Sequence, residues 1–134
     1  LYRSQFRPSE TLAAPYLMLA GNVVIADTEP EARRLATSRQ IYMASLRQGQ
    51  ARRFPAPVHP ENLPWSQESG EQMDTVLSQT FVGEPTQVRD RIAAFLERHQ
   101  PDEMLVTVPV YDHDARRHAL RRLAEIIPTL PSRG

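Results

Sequence analysis

Residues 16–26, YLMLAGNVVIA, are apolar nearly throughout and show no strict alternation. That pattern predicts a strand buried on both faces, as in a parallel sheet. The period then changes. Ala32, Leu35, Ala36, Met43 and Leu46 recur at helical spacing, Thr28 and Glu31 stand three apart, and Pro30 lies just after Thr28. Thr28 is placed to cap, Glu31 to complete a capping box, and proline costs nothing in a first turn whose N–H groups are free anyway. A helix over about 29–48 follows, ended by Gly49. Residues 50–70 break the periodicity with Pro55, Pro57, Pro60 and Pro64. They read as an irregular insertion or lid, since long loops in compact domains are usually functional or disordered. Trp65 would anchor that loop or cap a pocket, and a short helix is expected over 70–79.

A second unit begins at Thr80. Residues 80–82 predict a short strand, Gly83 a turn, and Val88, Ile92, Phe95 and Leu96 the apolar stripe of a helix that starts at Pro85 and stops near His99. Residues 103–108, EMLVTV, predict a β-branched strand without alternation. A last helix is expected over about 113–127, with Ala119, Leu120, Leu123 and Ile127 inward. Strands separated by helices predict an α/β fold with a parallel sheet. Three strands would leave edges and apolar surface uncovered, so the pattern predicts part of something larger or half of a dimer.

Composition narrows the function classes. The 134 residues suit one domain, and 16 basic against 16 acidic residues give zero formal net charge. No basic excess draws a nucleic acid or a membrane surface. All the basic residues other than histidine are arginine, which reads as composition and not as a site. Without cysteine there is no disulfide, thiolate metal site or cysteine nucleophile. No apolar run approaches the roughly 18 residues of a membrane span, and no signal peptide opens the chain, so a soluble cytoplasmic protein is expected. The chain starts at Leu1 and reads as a fragment or processed piece.

The candidate chemistry is concentrated in VPVYDHDARRH, residues 108–118. Tyr111 and His113 follow a strand, where a histidine could act as acid or base near neutral pH. Asp112 could instead simply cap the last helix, with His113 in its first turn. A metal site from Asp112, His113, Asp114 and His118 is disfavoured, because the two histidines are five apart and do not share a helix face. Asn22 inside a buried strand needs partners, either a ligand in a lumen or backbone groups at a bend beside Gly21, and Thr107 carries the same ambiguity. His59 reads as solvated. So do the arginine pairs 33/34, 116/117 and 121/122, which are not expected to form a phosphate clamp. No glycine-rich phosphate loop or G-x-S-x-G elbow is present.

Two long stretches, YRSQFRPSETLAAPYLMLAGNVVIADTEPEARRLATS and FVGEPTQVRDRIAAFLERHQPDEMLVTVPVYDHDARRHALRRLAEI, resemble the C-terminal part of bacterial luciferase-like flavin-dependent monooxygenases. The match is best in the subgroup whose last strand runs into YDH-x-x-R. One departure is Glu84, where many members have threonine before the proline. The resemblance implies a partial (β/α)8 barrel, with 16–26 as strand six, 80–82 in the short strand or mobile loop before the penultimate helix, and 103–108 as strand eight. A whole barrel needs about 250 residues, so 1–134 would be one domain carrying the last strand–helix units, with 50–79 as its insertion. The resemblance further implies reduced FMN and dioxygen as reactants, a small organic substrate, a separate flavin reductase and a homo-oligomer. Tyr111, His113, Asn22 and Thr107 would be its cofactor- or substrate-facing residues. Thr28 and Asp112 would be structural caps. The isolated chain is expected neither to hold flavin tightly nor to turn over. The alternative is a non-catalytic α/β module acting by dimerisation or partner binding.

Overall fold

The structure, a computed structural model, describes residues 1–65 and 79–131. A short N-terminal turn of helix, α1 (Tyr2–Gln5), precedes β1 (Met18–Ile25) and α2 (Glu29–Arg47). After the proline-rich segment come β2 (Thr80–Gly83), α3 (Pro85–His99), β3 (Glu103–Thr107) and α4 (His113–Ile126). The expected helix over 70–79 lies, apart from Gln79, outside the described residues.

The three strands form one parallel sheet in the order β2-β1-β3. The apolar run that predicted a strand buried on both faces is thus the central one. β2 pairs only with its C-terminal half, Asn22–Ile25 against Thr80–Gly83, and β3 only with Met18–Asn22. This order corrects one expectation. Strand six of a barrel would be separated from strand eight by a strand between them, whereas β1 hydrogen-bonds directly to β3.

One face of the sheet is covered by the two C-terminal helices. Val23 and Ile25 pack with Phe81, with Val88 and Ile92 of α3, and with Ala119, Leu123 and Ile126 of α4. Leu120 and Ile127 of the last helical segment were expected inward, but both stand about half exposed. The buried stripe of α4 runs instead through 119, 123 and 126, the three- and four-residue steps of one helix face. Gly21 lies under this layer: a Cβ there would come within 2.9 Å of both Met104 Cε and Phe81 Cε2.

Strand alternation turns Val24 to the opposite face. There it joins Ala26, Ala32, Leu35, Ala36 and Val110, which brings α2 onto the C-terminal end of the sheet. The N-terminal half of this second face is bare. Its three cross-strand pairs are Met18 with Glu103, Ala20 with Leu105, and Asn22 with Thr107. Met18 is 51% and Leu105 49% exposed.

The proline-rich segment is fastened to α2 by a buried hydroxyl. Thr37 Oγ1 accepts from Val58 N–H at 2.9 Å and lies 3.0 Å from Val58 O and 2.6 Å from Arg34 O. Phe54 packs on Tyr42, and Trp65 is half-buried. The N-terminal segment is tied to the opposite, N-terminal end of the sheet. Leu17 N–H donates to Asp102 Oδ2 at 2.7 Å, and Tyr16 Oη donates to Glu103 Oε2 at 2.8 Å. No helix among the described residues is long and apolar enough to cross a membrane.

Candidate functional site

In parallel α/β architectures ligands bind beyond the C-terminal ends of the strands, because the connecting loops converge there. In this chain that end comprises Ala26–Thr28 after β1, the turn at Gly83 after β2, and residues 108–112 after β3.

Asp27 organises it. Its Oδ1 lies 2.9 Å from His118 Nε2 and 3.1 Å from Arg122 Nη2, both on α4. Hydrogen bonds from His118 and then Arg122 hold the Asp27 carboxyl below its ordinary range. Arg122 also contacts Glu125 at 3.1 Å. The sequence reading placed Arg122 on a solvated face and gave Asp27 no role. The only signal was an aspartate at the end of a strand, and its partners are 91 and 95 residues away.

A pocket of about 270 Å³ opens beside this joint, with Ala26, Leu35 and Ala115 among its apolar lining and Thr28, Asp114 and His118 among its polar lining. A larger cleft of about 530 Å³ shares Thr28 and Glu31 and extends to His59 and Pro60 of the proline-rich segment. His59 is exposed at its edge.

The other predicted residues fall in three places. Asp112 accepts from Ala115 N–H at 2.8 Å and so caps α4. Thr28 accepts from Glu31 N–H at 3.4 Å. The reciprocal half of that capping box is not made, because Glu31 forms a two-pronged pair with Arg34 instead. Tyr111 is 53% exposed, and His113 accepts from Arg116 through Nδ1 at 3.1 Å, away from His118. Asn22 and Thr107 answer each other: Thr107 Oγ1 donates to Asn22 Oδ1 at 2.7 Å across the β1–β3 pair. The pair lies on the bare face, not at a bend serving backbone groups.

The helix N-termini at this end are acidic. Glu29 and Glu31 open α2, Glu84 precedes α3, and Asp112 and Asp114 open α4. Glu84 N–H donates to Gln87 Oε1 at 3.0 Å, and Gln87 Nε2 donates to Glu29 Oε2 at 3.0 Å, which joins two of these termini. Bonds from Gln87 and then Arg33 keep Glu29 ionised, as Arg34 does Glu31. A helix N-terminus hosts a phosphate through free N–H groups and positive potential. Here carboxylates occupy that role, so the described residues do not fit the phosphate end of a flavin mononucleotide. No group of three or more metal-ligating side chains occurs among the described residues.

No protein-family model matches the chain. It is 32% identical over 126 residues to a luciferase-like monooxygenase of Escherichia coli K12, an alignment that takes in 94% of this chain and 38% of that protein. It is 31% identical over 126 residues to the Bacillus subtilis protein YvbT, again over 38% of its length. Among solved structures, the crystal structure of apo-MsnO8 superposes with a TM-score of 0.70 at 23% identity, covering 98% of this chain and 40% of that one. By sequence and by fold, nearly the whole chain is therefore similar to about two-fifths of proteins that include a luciferase-like monooxygenase.

Proposed function

We propose that the chain is the C-terminal part of a luciferase-like, flavin-dependent monooxygenase that oxygenates a small organic substrate with reduced flavin and dioxygen. The supporting observation is the bare half of the sheet. A parallel sheet is normally covered on both faces. This one leaves Met18, Ala20 and Leu105 uncovered beside the Asn22–Thr107 pair, in a chain spanning 38% of the relatives it matches. A longer protein would turn that half-face toward its own interior. The chain's contribution is then one wall. Asn22 and Thr107 supply a polar pair on an apolar face, and Tyr111 and His113 stand at the rim beyond β3. The flavin and its reductase belong to the complete enzyme. The acidic helix termini point to other parts of the protein as the host of the cofactor's phosphate.

Titration of FMN with the 134-residue chain, followed by flavin fluorescence, tests this division. The chain alone is expected to leave the fluorescence unchanged, while the chain extended upstream to the length of its relatives quenches or shifts it. Micromolar binding by the 134-residue chain would overturn the division. The outer edge of β3, which has no strand partner among the described residues, favours a second reading, a non-catalytic module that dimerises through its sheet. Sedimentation separates the two, because that reading requires a stable dimer of the chain by itself.

A further inference from the structure

The joint between β1 and α4 fixes the chemistry of an imidazole. An ionised carboxylate can only accept hydrogen bonds, so the 2.9 Å contact between Asp27 Oδ1 and His118 Nε2 requires the proton on Nε2. In the neutral ring Nδ1 is then the acceptor, and it has no hydrogen-bond partner among the described residues. The ring lines the 270 Å³ pocket at the C-terminal end of the central strand, with Ala26, Leu35 and Ala115. Asp27, Thr28, Glu31 and Asp114 add a polar part to that lining, and the pocket lies where connecting loops converge, the combination expected of a site for a ligand with an apolar body and a polar end.

We propose that this pocket binds a small neutral molecule with an O–H or N–H donor, and that His118 Nδ1 receives the hydrogen bond, and can receive the proton, of that group. The charges around the pocket select this class. Its lining includes Asp27, Glu31 and Asp114 but no arginine, so nothing in it draws an anion. Asp27 is already matched by Arg122 and Glu31 by Arg34, which leaves little net attraction for a cation. The lining matches a compact apolar body. Asp27 acts through His118 and is a positioning residue. The inference concerns this pocket alone and stands whether or not the flavin reading holds.

Three probes of similar size separate the possibilities in the intact protein: phenol, anisole and benzoate. The readout is the ring C–H resonances of His118, with those of His113 and His59 as internal references. Phenol is expected to give a saturable shift at His118, anisole a response weaker by about threefold to tenfold for lack of one hydrogen bond, and benzoate none. Nitrogen shifts of the ring should report the Nε2–H form, and Asp27→Ala should convert it to a mixture and weaken phenol. In His118→Phe the ring shape remains without an acceptor, and phenol binding read at the Thr28 and Ala115 amides should fall by a similar factor. The proposal is overturned if phenol gives no saturable shift at His118, if anisole matches it, or if the ring carries its proton on Nδ1. The probe contrast and the tautomer are read on the unsubstituted protein, so they decide the matter even if a variant fails to fold.

Discussion

At the scale of single residues, three positions carry sharp consequences. Gly21 is needed for space: Phe81 is buried and cannot withdraw from an added Cβ, although the end of Met104 can. Gly21→Ala should cost about 1–3 kcal/mol through overpacking, read as a lower urea midpoint with an unchanged slope. Thr37 replaces a backbone partner for Val58, so Thr37→Val leaves a half-buried N–H unmet. The expected loss is about 1–3 kcal/mol, concentrated in faster hydrogen exchange at Val58 and its neighbours. Asp27 gives a pH signature. Its folded-state pKa is depressed below 3.8, so its contribution to stability is fully present above that value and is lost as pH falls through the folded pKa. The stability gap between the protein and Asp27→Asn should therefore close on strong acidification, as acid unfolding followed by circular dichroism would show. None of this was legible in the sequence, which printed Asp27 as the end of a strand and His118 as one of a loose cluster. The partners lie about ninety residues apart, and local pattern cannot supply that information.

The elements themselves were far more legible, because each rests on short-range chemistry. Apolar runs without alternation marked β1 and β3, Pro85 and Pro30 marked helix starts, and Gly49 marked a helix end with φ of +71°. What local pattern could not show was which strand sits in the middle. Any of three apolar strands can be central, and the choice depends on how α3 carries the chain from one edge of the sheet to the other. The same limit explains the misplaced inner face of α4: Leu120 and Ile127 are apolar, but the rotation of the helix is set by what lies beneath it. Helix ends offer the test proper to this scale. Asp112→Ala removes the acceptor for Ala115 N–H and should cost about 0.5–2 kcal/mol. Gly83 has φ of +153°, and an added Cβ would lie 2.5 Å from Gln87 Oε1. Gly83→Ala should therefore displace Gln87 from both Glu84 and Glu29, with larger amide shifts at Glu84 than at Ile92.

For the whole molecule, the uncovered half-face decides how a substitution reads in different lengths of chain. Leu105 touches solvent in the 134 residues and would face an interior in a longer protein. Leu105→Asp should change the stability of the 134-residue chain by no more than about 0.5 kcal/mol, yet strongly destabilise the chain extended upstream. Equal effects in both would count against an interior role for this face. The central position of β1 has a further consequence, for synthesis. Met18–Asn22 must wait for Glu103–Thr107, about 85 residues later, before that half of the strand gains its neighbour. Until then a nascent chain on the ribosome can pair β1 only along the four residues facing β2. Long-range pairing of this kind closes late and leaves an apolar edge exposed while the chain is made. Ribosome-bound chains halted before Glu103 should therefore be protease-sensitive along β1, and those halted beyond α4 should be protected.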